Sequence, residues 1–92
     1  MSIEELDYKK ATIIDVREVY EFEMGCVEGS TNIPLGTIPD KVEEFKQIEG
    51  DIVLCCASGN RSGQATMFLQ QNGMTNVYNG GGWQAVVAQL AQ

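Results

Sequence analysis

The segment Asp51–Cys55, written DIVLC, constrains the fold more than any other part of the chain. It is apolar after its first residue and is too short for a buried helix. A strand with one solvated face would alternate apolar and polar side chains, whereas a strand within a parallel sheet is covered on both faces. The segment therefore predicts a central strand of a parallel sheet with helices packed against it.

The rest of the chain alternates short extended segments with stretches of helical spacing. Further strands are predicted at Thr12–Val16, Thr31–Leu35 and Asn76–Asn79, with the glycines of 80–82 as a flexible turn. Helices are predicted at Ile3–Lys9, from Val19 to a stop at Gly25, from Asp40 to a stop at Gly50, from near Ser62 to Gly73, and over Trp83–Gln92. The first of them starts with a capping box of Ser2 and Glu5. The third has Asp40 as its cap and Val42, Phe45 and Ile48 facing inward.

This alternation implies crossover connections between parallel strands. We therefore expect one domain over residues 1–92 with an α/β fold. Its sheet is predicted to be doubly wound and mainly parallel, with four to five strands and helices on both faces. Four strands is the preferred number, because the N-terminal segment is short.

The charge distribution limits the partners of the protein. The formal net charge is -7, and all 13 acidic residues lie between Glu4 and Asp51. Such a charge disfavours nucleic acid or an anionic membrane surface as the main partner. No apolar run approaches the roughly 20 residues of a membrane span, and the N-terminal segment lacks the apolar core of a secretory signal. We therefore expect a cytoplasmic protein that binds neither nucleic acid nor membranes.

The chain has 3 cysteines and no histidine. Two of the cysteines, Cys55 and Cys56, are adjacent, which is a poor geometry for a disulfide, and no Cys-x-x-Cys pair indicates zinc. The absence of histidine excludes Cys–His and Ser–His–Asp mechanisms. We expect no metal and no cofactor, and a reactive thiolate would have to be activated by other groups.

The loop CASGNRS follows the central strand, and this is where parallel sheets place their sites. Gly59 and Asn60 tolerate a positive φ, so the backbone N–H groups can converge around an anion. The next helix N-terminus and Arg61, which has no acidic residue within nine positions, add positive charge. We therefore expect a depressed pKa for Cys56, whereas Cys55 is expected to face the core.

This loop resembles the active-site loop of rhodanese sulfurtransferases, in which a nucleophilic cysteine opens the pattern Cys-x-x-Gly-x-Arg-[Ser/Thr]. The segment IIDVREVYEFEMGCVEGSTNIPL is similar to the upstream signature of that family, and NVYNGGGWQA is similar to its C-terminal glycine run before tryptophan. Together the three segments cover most of the chain from Ile13 to Ala85 in the family order. The resemblance implies a rhodanese-like fold and a sulfurtransferase.

The resemblance also implies a reaction and its partners. Cys56 would take a sulfane sulfur from thiosulfate or a thiol persulfide and pass it from a Cys56 persulfide to a thiol or cyanide acceptor. A thioredoxin-like or sulfur-carrier protein is a possible partner. The loop residues expected to bind the substrate are Ala57, Ser58, Gly59, Asn60, Arg61 and Ser62, with Arg61 in anion recognition and the two serines as hydroxyl donors. Asp15 and Arg17 are expected to support the loops, with Asp15 accepting hydrogen bonds and Arg17 pairing with an acid.

Three other functions compete with sulfur transfer. Dual-specificity phosphatases of the same fold carry a loop one residue longer, and the four residues Ala57–Asn60 suit sulfur better than phosphate. A non-catalytic protein-binding module and a redox sensor that uses Cys56 stay open. Cys26 stands where the family has histidine; we favour a harmless substitution over a resolving thiol for Cys56. Trp83 is expected to pack in the core rather than to bind substrate.

Overall fold

The computed structural model describes residues 3–92. The strands are β1 (Thr12–Asp15), β2 (Thr31–Asn32), β3 (Ile52–Cys56) and β4 (Val77–Gly82). The α-helices are α1 (Val19–Glu23), α2 (Val42–Lys46), α3 (Asn60–Gln71) and α4 (Trp83–Leu90), and 3-10 helices cover Ile3–Glu5 and Leu35–Lys41. The predicted capping partner Ser2 lies outside the described residues.

The four strands form one parallel sheet in the order β2-β1-β3-β4. The predicted central strand is β3, which pairs with β1 on one side and β4 on the other. Its five side chains are all buried, as the apolar run requires. The parallel sheet with four strands, predicted from the sequence, is confirmed within residues 3–92.

The side chains of β3 alternate between two apolar layers. Leu54 and Cys56 point into the layer that contains α2, α3 and the buried Phe45. Val53 and Cys55 point into the other layer, with Val86 of α4. The prediction of helices on both faces is confirmed, and the two adjacent cysteines belong to opposite faces of the sheet.

Several predicted element boundaries are wrong. The first helix is only the 3-10 helix Ile3–Glu5. Asp40 does not cap a helix, because it lies inside the 3-10 helix Leu35–Lys41, and α2 starts at Val42 with Phe45 inward as predicted. The extended segment from Thr31 is a strand only over Thr31–Asn32, although the N–H groups of Ile33 and Leu35 still donate to the carbonyls of Asp15 and Val16, up to the start of the 3-10 helix.

The glycines of 80–82 form the second half of β4 rather than a flexible turn. The pairing of β4 shifts its register opposite Leu54 and Cys55, and Gly81 there has a φ of +85°. A Cβ atom on Gly80 would lie 2.5 Å from Val53 Cγ1, and one on Gly82 would lie 2.8 Å from the Ala57 carbonyl oxygen. Glycine is therefore required for β4 to approach β3 and the loop that follows it.

We expect Gly80→Ala to lower the free energy of unfolding by about 1–3 kcal/mol, the usual cost of overpacking a core. The added methyl group would meet both Val53 and Val86, at 2.5 and 3.0 Å. Urea unfolding followed by circular dichroism measures the change. Gly36→Ala is the matched control, because nothing lies within 4 Å of its added Cβ. Equal stability of the two variants would contradict the close packing of β4.

Candidate active site

Cys56 is the last residue of β3, and the turn Ala57–Gly59 leads directly into α3. Gly59 occupies the N-cap position of α3 with a φ of +99°. Asn60 does not adopt the positive φ that the sequence allowed, because one left-handed residue is enough to turn the chain into the helix. The predicted helix start near Ser62 is therefore two residues late, and Asn60 and Arg61 belong to α3.

The Cys56 sulfur lies at the N-terminus of α3 and accepts backbone hydrogen bonds. The N–H of Gly59 is 3.0 Å from Sγ, and the N–H and Oγ of Ser62 are each 3.4 Å from it. Burial raises the pKa of the Cys56 thiol, and hydrogen bonds from the N–H groups of Ser62, Ser58 and Gly59 lower it; the Ser62 hydroxyl lowers it further only when it donates its proton to the sulfur. The net effect holds the pKa of Cys56 below its ordinary value.

The pKa of the neighbouring Cys55 thiol is shifted in the opposite direction, upward. The residue is fully buried in the layer that contains α4, as predicted for a core cysteine. Burial and the carboxylate of Asp15 raise the pKa of Cys55 to about 12. Cys55 therefore stays a neutral thiol at physiological pH, and of these two cysteines only Cys56 is suited to nucleophilic chemistry.

Arg61 has an acidic partner that is distant in sequence. Its two terminal nitrogens donate to the two carboxylate oxygens of Glu21 at 2.7 and 3.0 Å. This ion pair lowers the pKa of the Glu21 carboxyl to about 2. Sequence analysis missed Glu21 because it lies 40 residues away, on α1. The ion pair ties α1 to the first turn of α3, beside the candidate nucleophile.

Asp15 and Arg17 form a buried ion pair at the end of β1. The guanidinium of Arg17 donates three bonds of 2.7 to 3.0 Å to the Asp15 carboxylate, and its backbone N–H adds a fourth at 2.9 Å. Arg17 also donates to the carbonyl of Gly25 at 2.7 Å and stacks over the Trp83 ring at 5.0 Å. These contacts fix the segment that carries α1, and the supporting role of the pair in the site stays a prediction.

Asn79 was not identified as a site residue from the sequence, where it ends the predicted strand Asn76–Asn79. Its Oδ1 accepts the Ser62 hydroxyl at 2.6 Å and the Gly81 N–H at 3.0 Å, and its Nδ2 donates to the Gly59 carbonyl at 3.0 Å. The one available signal was a polar residue near the carboxyl end of a strand that adjoins β3. Asn79 thereby connects β4 to the turn around Cys56.

The remaining residues of the turn face solvent or line a cavity. Ala57 and Ser58 are exposed, and Cys56 itself is only 1% exposed. An open cavity of about 420 Å³ lies along one side of α3, with Gly59, Asn60 and Gln64 on its wall. A smaller cavity of about 230 Å³ shares Gln64. Cys56 lines neither of these two cavities.

Cys26 is a half-buried free thiol. The hypothesis that it resolves an oxidised Cys56 stays a prediction, which mapping of disulfides after mild oxidation would test. Trp83 packs partly buried against the apolar layer of α4 and under Arg17, as expected for a structural role.

Neither a cluster of metal-ligating side chains nor a membrane-spanning helix is found in the described residues 3–92. Within residues 3–92, no three cysteine or acidic side chains are grouped so that they could hold a metal ion. No helix in the same range is long and apolar enough to cross a membrane. The longest of them, α3, has 12 residues, whereas a span needs roughly 20.

Residues 3–89 match the model of the rhodanese-like domain. The chain is 42% identical over 72 residues to the uncharacterized protein YqhL of Bacillus subtilis, a match that covers 78% of this chain and 56% of YqhL. It is 36% identical over 70 residues to the thiosulfate sulfurtransferase PspE of Escherichia coli, covering 75% of this chain and 67% of PspE.

Other similarities extend this set. A tRNA uridine(34) hydroxylase of Buchnera aphidicola is 31% identical over 78 residues, which cover 79% of this chain but 25% of the hydroxylase. The crystal structure of a rhodanese-related protein from Thermoplasma volcanium gives a TM-score of 0.74 at 34% identity, covering 88% of this chain and 80% of that one. The chain therefore spans only part of several relatives, about half of YqhL and a quarter of the hydroxylase.

Proposed function

The chain belongs to the rhodanese-like domain family, and from this we propose that it is a sulfurtransferase with Cys56 as its nucleophile. One observation carries the proposal: the Cys56 sulfur lies at the N-terminus of α3 and accepts N–H groups, at 3.0 Å from Gly59 and 3.4 Å from Ser62. These donors favour an anionic sulfur, which is both the attacking thiolate and the persulfide product. No histidine is needed for this activation.

The reaction has two half-reactions. The Cys56 thiolate attacks the sulfane sulfur of the donor, a new S–S bond forms, and the donor leaves as sulfite or as a thiolate with the electron pair of its broken bond. A thiolate or cyanide then attacks the outer sulfur of the Cys56 persulfide. This second attack releases the Cys56 thiolate, so the net reaction transfers one sulfur atom and requires no external oxidant or reductant.

The residues of the turn are assigned separate parts in this proposal. The N–H groups of Ser58, Gly59 and Ser62 hold the anionic sulfur. Exposed Ala57 and Asn60 border the approach to it. Arg61 holds α1 against α3 through Glu21 and places a positive charge on the first turn of α3.

The ion pair at Arg61 bears on the choice of donor. Arg61 is the single Lys or Arg of residues 52–92, and its terminal nitrogens are bound by Glu21. The net charge of -7 also repels a dianion at long range. We therefore favour a thiol persulfide over thiosulfate as the donor, and a thiol, such as that of a thioredoxin-like or sulfur-carrier protein in the cytoplasm, as the acceptor.

We expect kcat/KM for thiosulfate to be at least about tenfold lower than for a small thiol persulfide. Added salt should raise the thiosulfate value, because screening weakens the repulsion between the dianion and the acidic protein. Steady-state kinetics at low and high ionic strength measure both effects. Comparable turnover with the two donors at low salt would contradict this preference.

Mass spectrometry of the intact protein after incubation with a donor tests the proposed function directly. A sulfurtransferase gains one sulfur atom on Cys56, and cyanide or a thiol removes it again. A redox sensor would instead gain oxygen or a disulfide on Cys56 under mild peroxide, with no sulfur adduct. A non-catalytic binding module would give neither adduct. Absence of the sulfur adduct with every donor would exclude the proposed function.

A further inference from the structure

The hydroxyl of Ser62 has one proton and two neighbours that compete for it. Its oxygen lies 3.4 Å from the Cys56 sulfur and 2.6 Å from Asn79 Oδ1. A hydroxyl donates a single hydrogen bond but accepts through two lone pairs. If the proton points to Asn79, Ser62 presents a lone pair to Cys56, and it can then accept from a thiol but cannot donate to a thiolate.

The orientation of the Asn79 amide decides where the proton lies. Its Nδ2 faces the Gly59 carbonyl at 3.0 Å, and its Oδ1 faces the Gly81 N–H at 3.0 Å. A flipped amide would set two acceptors against each other at Gly59 and two donors against each other at Gly81. The amide oxygen therefore faces Ser62, and because an amide oxygen cannot donate, the short 2.6 Å bond requires the Ser62 proton.

We propose that Asn79 is a positioning residue for Cys56: it holds the Ser62 hydroxyl proton, so that the Ser62 oxygen accepts from the Cys56 thiol in the resting protein. Stabilisation of the thiolate then rests on the backbone N–H groups. The hydroxyl can turn to the sulfur only by giving up its bond to Asn79. The reactivity of the Cys56 thiol then depends on a side chain of β4. The consequence of this dependence for catalysis rests on the proposed function.

The charged groups around Cys56 stay constant while the thiol titrates. Arg61 on α3 is held protonated by Glu21 of α1, and the pKa of Glu21 is lowered to about 2. Cys55 on β3 has a pKa raised to about 12. At the end of β1, the Asp15 carboxylate is bound by Arg17. A titration between about pH 5 and 9 therefore reports Cys56 against a fixed local charge.

A double-mutant cycle of Ser62→Ala and Asn79→Ala tests the proposal. Thiolate absorbance at 240 nm against pH gives the Cys56 pKa, measured in a Cys26→Ser background so that the third thiol is removed. We expect Ser62→Ala alone to leave the pKa unchanged or lower it, because the thiol loses an acceptor. In the Asn79→Ala background, where the hydroxyl is free to donate, the same change should reduce the thiolate fraction near neutral pH about tenfold.

The cycle separates this effect from loosening of the turn. The contacts of Asn79 with Gly59 and Gly81 are absent from both the Asn79→Ala variant and the double variant. Their loss therefore cancels when the effect of Ser62→Ala on the Cys56 pKa is taken between those two proteins. Asn76→Ala is the matched control, because it removes an asparagine bonded to the Gly50 carbonyl just before β4 and should leave the Cys56 pKa unchanged. Thermal unfolding confirms that each variant is folded; if Ser62→Ala unfolds, Ser62→Gly takes its place.

Two results would overturn the proposal. Ser62→Ala that raises the pKa equally in both backgrounds would show that the hydroxyl donates to the thiolate whether or not Asn79 is present. A pKa that does not respond to Ser62→Ala in either background would show that the hydroxyl has no part. The readout needs no sulfur donor, so a chain without sulfurtransferase activity can still show the coupling, and an active chain can still lack it.

Discussion

We expect Cys56→Ser to abolish the gain of sulfur from any donor, by at least about a thousandfold in rate, because a serine hydroxyl would replace the proposed nucleophile. Cys55→Ser is expected to retain most of the rate, because Cys55 points into the opposite layer of the sheet and burial raises its pKa to about 12. Mass spectrometry of the sulfur adduct, with sulfur released to cyanide as a second measure, quantifies both variants.

The control for this comparison is the stability of the Cys55 variant. A hydroxyl at a fully buried position needs a hydrogen-bond partner, so Cys55→Ser is expected to cost about 1–3 kcal/mol in unfolding free energy. Cys55→Ala carries no hydroxyl and should keep the rate with a smaller loss of stability. Equal loss of activity in Cys55→Ser and Cys56→Ser would contradict the placement of the two thiols on opposite faces of the sheet.

We expect Arg61→Ala to slow sulfur uptake by a factor on the order of ten to a hundred, because it removes a positive charge from the first turn of α3, beside Cys56. Glu21→Gln breaks the same ion pair but keeps the guanidinium, and we expect it to slow uptake less than about threefold. Both variants lose the tie between α1 and α3. Single-turnover rates of Cys56 persulfide formation, measured at one pH and salt concentration, give the comparison.

The two variants separate electrostatics from positioning. Equal slowing by Arg61→Ala and Glu21→Gln would show that the ion pair acts by holding the turn in place, and the charge of Arg61 would then have no direct part. Lys41→Ala is the matched control, because it removes a cation from an exposed ion pair with Glu44 at 3.8 Å, in a separate helical segment. Such surface pairs contribute little, so its rate should equal that of the parent protein.

Local sequence was sufficient to predict those features of the site that depend on a single segment of the chain. The apolar run ending in Cys56 predicts a strand buried on both faces, and the period of two along a strand sends Cys55 and Cys56 to opposite layers. Gly59 was correctly expected at a positive φ. Each of these depends on residues that are neighbours in the chain, where backbone geometry alone decides the outcome.

The glycines of 80–82 show where local reasoning fails. A run of three glycines is typical of a flexible turn, yet here it continues β4. The reason lies in packing, because Val53 and Val86 leave no room for a Cβ atom on Gly80, and the Ala57 carbonyl leaves none on Gly82. Only the neighbouring strand and helix distinguish glycines that permit flexibility from glycines that permit close approach.

The sequence by itself determined the parallel α/β fold, the placement of Cys55 and Cys56 on opposite faces of the sheet, and the resemblance to sulfurtransferases. Tertiary structure decided which side chains surround Cys56. Glu21 reaches Arg61 across 40 residues and Asn79 reaches Ser62 across 17, because the strand order places β1 and β4 on either side of β3. The loops after parallel strands meet at one edge of the sheet, so contacts that tune Cys56 come from segments whose own sequences give no sign of them.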